Sequence, residues 1–153
     1  MKKLMLLVLL LSLQVNAAEP LELFWEDMIP SNYIAPETSV DHAGTMSQQS
    51  LDAPVVQSLN GKLVKIPGFV VPLEGDNALT TEFLLVPYFG ACIHVPPPPP
   101  NQIVYVTFSK GVSIPNLYDA VWITGTLSTE SWKGELATVG YTLTGISLSP
   151  YDG

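Results

Sequence analysis

The stretch from Lys62 to Leu73, KLVKIPGFVVPL, decides the fold. It is rich in β-branched residues, which suit the pleated, half-buried surface of a strand. Pro67-Gly68 interrupts it. Proline has no N–H for a central ladder and glycine accepts a close approach, so the pair predicts a bulge or sharp bend in one curled strand. Four more strand-like runs follow: Glu82 to Val86, Gln102 to Phe108, Ala120 to Leu127 and Thr138 to Leu148. In the second of these, Val104, Val106 and Phe108 alternate with Ile103, Tyr105 and Thr107. Both faces are largely apolar, which predicts a strand covered on both sides. Gly68, Gly125, Gly140 and Gly145 fall inside strands, where small closed barrels turn their corners. No run supports a long helix. The expected fold is all-β: a small five-stranded OB-like Greek-key barrel over residues 51–153, carrying a short N-terminal helical arm. A small β-sandwich is the alternative.

Upstream, Leu21, Phe24, Trp25 and Met28 recur at helical spacing and Pro30 ends the run. A short helix that lays Phe24 and Trp25 on the barrel is expected. Ser31 to Ser50 is polar and reads as a linker, so residues 18–50 form an arm and linker. Leu51 to Leu59 reads as a helical turn before the Asn60-Gly61 turn.

Residues 1–17 read as a secretory signal peptide. Met1-Lys2-Lys3 is positive, Leu4 to Leu13 is apolar but too short to span a bilayer, and Val15-Asn16-Ala17 places small residues for cleavage. No cysteine near that point supports a lipid anchor, and no stable membrane anchor is expected. The expected location is the periplasm. Residues 18–153 keep four lysines (Lys62, Lys65, Lys110, Lys133) against fourteen acidic residues, and the chain has no arginine. Nucleic-acid binders replace phosphate counterions with basic side chains, so nucleic acid is excluded as a partner. Anionic lipid is disfavoured on the same ground.

The single cysteine, Cys92, cannot form an internal disulfide, and an odd thiol in an oxidising compartment needs an explanation. Burial is one, since free cysteines are often buried. Metal ligation is another. Cys92 and His94 are two residues apart, and in extended chain such residues share a face, where thiolate and imidazole could both bind zinc or copper. A third ligand would come from His42, Met46, Glu74 or Asp76, and a homodimer could supply the rest. Catalysis by a Cys–His pair would also need an orienting group and an oxyanion donor, which the sequence does not show, so an enzyme is not expected. The five prolines that follow, Pro96, Pro97, Pro98, Pro99 and Pro100, predict a stiff polyproline II rod rising about 3.1 Å per residue. With Asn101 and Gln102 it is an interaction-loop candidate, because such rods are ready ligands for aromatic grooves.

Taken together, IPGFVVPL (residues 66–73), FLLVP (83–87), the C-x-H-x-P-P-P-P-P-N-Q run (92–102), VWITGTL and GYTL resemble a bacterial domain-of-unknown-function family, three-two-nine-nine. The resemblance spans most of the chain after residue 24. It implies a small exported protein serving an envelope transport or metal-homeostasis system, with an ABC-transporter component or other envelope protein as partner. For sites it implies only the motif positions: Cys92, His94, the prolines, Asn101 and Gln102. Two functions are thus expected: a metal-binding transport accessory, or an interaction module that presents the proline loop to a membrane partner.

Overall fold

The computed structural model describes residues 18–34, 47–48, 50–75 and 78–152. Among these residues eight strands are present: β1 (Leu21–Glu22), β2 (Leu63–Gly75), β3 (Thr80–Val86), β4 (Val104–Val112), β5 (Val121–Ser128), β6 (Trp132–Lys133), β7 (Thr138–Val139) and β8 (Tyr141–Pro150). The five long ones close into a barrel in the order β2-β3-β4-β8-β5, with β5 pairing back onto β2. All neighbours are antiparallel except β4 and β8. This is the five-stranded OB-like Greek-key barrel, and helix is limited to three 3-10 turns among the described residues.

β2 closes the ring by serving two neighbours in succession. Residues 63–68 pair with β5 and residues 69–75 with β3. The change of partner falls at Pro67-Gly68, where the sequence predicts a bend. A side chain at Gly68 would place its Cβ 2.7 Å from the Val86 carbonyl, so only glycine lets the strands approach this closely. The register irregularity itself lies further on, between Pro72 and Glu74. A second close approach pairs Gly125 with Gly145 beside Leu143 and Phe108, next to a register shift between β5 and β8.

Two cores explain why the strands are apolar on both faces. Inside the barrel pack Ile66, Phe83, Leu85, Val106, Ile123 and Leu143. Outside it, Leu84, Val86 and Ile103 pack under Ala91, Cys92, Ala137 and Val139, with Tyr105 and Trp132 at the edge. Each fully buried side chain of this size contributes about 1.5–3 kcal/mol. The outer core covers the β3–β4 face, which open OB barrels use for oligonucleotides.

The N-terminal arm differs from expectation. Leu21–Glu22 forms a parallel pairing with Val64–Lys65, and helical geometry survives only as a 3-10 turn, Trp25–Met28. Strand pairing has overridden the helical spacing. The arm still docks as predicted: Trp25 Nε1 donates to the Pro67 carbonyl at 2.8 Å, and Phe24 meets Trp122 edge-on. The buried Tyr141 hydroxyl donates to the Met28 carbonyl and accepts from the Val56 N–H. Downstream, Gly140 separates β7 from β8 where one continuous strand was expected.

Candidate functional site

Glu74 lies near the end of β2, and His42, Met46 and Asp76 lie outside the described residues; the connection from β3 to β4 carries Cys92, His94, the five prolines, Asn101 and Gln102. Its first half is a tight turn wound around one carbonyl. The N–H groups of Ile93, His94 and Val95 all donate to the Gly90 oxygen, at 3.3, 2.8 and 3.3 Å. Gly90 has a left-handed φ of +83°, which glycine adopts freely. Cys92 has φ +66°, a conformation that costs a β-carbon residue about 1–2 kcal/mol.

That geometry sends Cys92 and His94 into different surroundings. Cys92 packs in the outer core, 8% exposed, and burial pushes its thiol up to about 11. The protonated thiol is thus the resting form at neutral pH, and a nucleophile or metal ligand needs the thiolate. His94 is exposed, between Ile93 and Val95, which are exposed as well. Among the described residues, no three His, Cys, Asp or Glu side chains are grouped to hold a metal ion.

The second half is a strap. Pro97, Pro98, Pro100 and Asn101 are buried, and Pro96, Pro99 and Gln102 are half-buried. Pro99 keeps the extended backbone of a polyproline helix (φ −55°, ψ 153°), but the run is laid into the protein and not presented from it. Two of its carbonyls are satisfied from elsewhere in the chain. Gln48 Nε2 donates to Pro98 O and to Thr138 O at 2.7 Å each, and the Gly140 N–H donates to Pro100 O at 2.7 Å. Asn101, 1% exposed, donates through Nδ2 to the Pro54 carbonyl at 2.9 Å. Gln102 donates to the Trp25 carbonyl at 2.8 Å. The motif that reads as an interaction loop therefore clamps the arm, the linker and the β7–β8 junction to the barrel.

Sequence reasoning did not single out the exposed face beside this strap. Phe89 meets Phe69 (6.1 Å between ring centres) and Tyr118 (5.4 Å). Phe89 and Ile93 are about half exposed, and Tyr118 is 73% exposed. With Leu117 and His94 they line a groove of about 170 Å³ over residues 69–72 of β2. One signal was available in the sequence: from Phe83 to Ser109 there is no Asp, Glu, Lys or Arg, in a chain of formal net charge −8. Much of that interval is buried strand and strap, but its exposed part in the β3–β4 connection, Tyr88, Phe89, Ile93, His94 and Val95, carries no acidic or basic side chain other than the imidazole.

The Protein of unknown function (DUF3299) family profile matches residues 25–150, and the chain belongs to that family. It is similar to the crystal structure of a DUF3299 family protein from Pseudomonas aeruginosa PAO1. That similarity holds at 46% sequence identity and a TM-score of 0.79, over 89% of this chain and 99% of the other. No curated protein matches it.

Proposed function

We propose that this DUF3299 protein is a non-catalytic periplasmic accessory that docks on a protein of an envelope transport system. The docking face is the uncharged aromatic surface of Phe69, Phe89, Ile93, Leu117 and Tyr118. The observation that carries this reading is the exposure of large apolar side chains on two neighbouring connections, 87–103 and 113–120, of an otherwise acidic chain. Contiguous exposed apolar patches of this kind mark interaction sites. The reading moves the interaction from the prolines to the turn they support: the strap holds residues 90–95 in place and the aromatic rings make the contact.

The test is site-specific photo-crosslinking in cells, with p-benzoylphenylalanine at Tyr118 and, as a control, at the exposed Glu130. One envelope protein crosslinked from Tyr118 and not from Glu130, and lost when Phe89→Ala is added, is the expected result. Equal labelling from both positions would remove the docking face.

A second reading keeps Cys92 and His94 as zinc or copper ligands. It is favoured by their lying on one six-residue turn about the Gly90 carbonyl. A metal would have to displace the proton that burial holds on the thiol, and would need ligands beyond the pair. Elemental analysis of chelator-free protein beside Cys92→Ser separates the readings: stoichiometric metal lost in the variant favours ligation, and none in either favours docking alone.

A further inference from the structure

The groove at Phe89 shares one wall with a neighbouring groove. The side chain of Phe69 also lines a second, larger groove, bounded by Pro67, Pro87, Phe24, Ala120 and Tyr151. Two aromatic clusters therefore flank one shared wall. At one end are Phe69, Phe89 and Tyr118. At the other, Trp122 lies between Phe24 (6.0 Å, edge-on) and Tyr151 (5.1 Å). No charged side chain lines either groove.

The charge stands at one end. Asp119 precedes Ala120 and Asp152 follows Tyr151, two walls of the second groove that are joined by the Tyr151 N–H donating to the Ala120 carbonyl, so both carboxylates stand beside that groove. Asp119 accepts from Asn116 Nδ2 at 2.9 Å and Asp152 from Trp122 Nε1 at 3.3 Å. An ionised carboxylate has about four lone-pair sites, so each retains acceptor capacity. The second cluster already carries a cation: Lys65 Nζ lies 4.2 Å from the Trp122 ring centre, with Glu22 at 3.3 Å. Aromatic faces attract cations in this geometry.

We infer that the segment seated along Phe69, across these two grooves, is an extended, proline-bearing peptide of the partner with a basic residue at one end, an assignment that rests on the docking reading above. Proline rings pack flat on aromatic walls, and a polyproline II segment is already ordered, so it loses little entropy on seating. Its carbonyls can take hydrogen bonds from the Tyr118 and Tyr151 hydroxyls and the His94 ring. The two carboxylates favour a basic residue at that end and disfavour the other occupants: two copies of this acidic chain repel, and so does an anionic bilayer.

The test titrates the purified protein with a synthetic peptide, Lys-Pro-Leu-Pro-Pro-Leu-Pro, and with a control in which serine replaces every proline. Tryptophan fluorescence reports binding, since Trp25 lines the second groove and Trp122 belongs to one cluster. The proline peptide should bind at least about tenfold more tightly than the control, and Phe89→Ala with Tyr118→Ala should remove about tenfold while lowering the melting temperature by no more than about 5 °C. Asp119→Asn with Asp152→Asn should weaken binding roughly threefold at low salt, a difference that closes near 0.5 M salt. Equal binding of the two peptides, or none, overturns the assignment. So does protection of the same rings by phosphatidylcholine vesicles or by self-association. If the peptide fails while the Tyr118 crosslink persists, the docking face stands and only the peptide class falls. If both fail, the docking reading falls with it.

Discussion

The connection between β3 and β4 has two halves of opposite character. Residues 90–95 turn around one carbonyl and put Ile93, His94 and Val95 into solvent. Residues 96–102 are pressed inward and receive hydrogen bonds from residues 48 and 140, while Asn101 and Gln102 donate to the carbonyls of Pro54 and Trp25. The difference teaches that distinctiveness in sequence is not exposure in structure. The proline half is conspicuous because it braces; the adjoining half, singled out in sequence for Cys92 and His94, meets the outside through Ile93, His94 and Val95.

This contrast breaks first at Asn101. Its buried amide spans from the strap to Pro54, so Asn101→Ala should cost about 2–3 kcal/mol and lower the thermal midpoint by roughly 8 °C. A loss under about half a kilocalorie per mole would mean that the strap is decoration. Calorimetry or denaturant melts read it directly.

A middle-sized effect sits at the boundary, on Cys92. With its thiol raised to about 11 from an ordinary 9, the thiolate fraction at pH 8 falls roughly a hundredfold. A disulfide reagent should therefore modify the folded protein far more slowly than the urea-unfolded chain. The sign for stability follows. The folded state holds this proton more tightly than the unfolded one, so the contribution is complete below pH 9 and is lost as pH rises from 9 to 11. Cys92→Ala should flatten the stability curve in that window. Thiol reactivity equal in folded and unfolded protein would move Cys92 into the exposed half.

The smallest effect belongs to the tip. Ile93→Ala and His94→Ala should each change stability by no more than about 0.5 kcal/mol, as exposed substitutions usually do. A drop comparable with that of Asn101→Ala would erase the distinction between the halves.

Much of the barrel was legible because its signals act locally. Proline and glycine at 67–68 dictate a bend wherever they occur, and the double-sided apolar pattern at 103–108 requires cover on both faces. The arm was misread because Leu21 to Met28 carries helical spacing, yet Leu21 and Glu22 find strand partners 43 positions away, at Val64 and Lys65. The strap was misread for a subtler reason. A proline run suggests surface, but each proline brings a carbonyl and no N–H into the interior, so fewer polar groups need partners. Gln48 and Gly140 supply donors that no local pattern announces. The paired aromatic grooves were least legible of all, since Phe24 and Tyr151 lie near opposite ends of the chain and come together around Trp122.

The divided loyalty of β2 also bears on the time course of folding. Leu63 faces Thr126, so the ring cannot close until chain far downstream has arrived, and the β4–β8 ladder awaits Tyr141 to Thr144. Such distant pairings forfeit loop entropy before they gain contacts, which sets barrels of this kind in the millisecond-to-second range. An incomplete chain has no closed ring to settle into, and the molecule acquires its structure late and nearly at once.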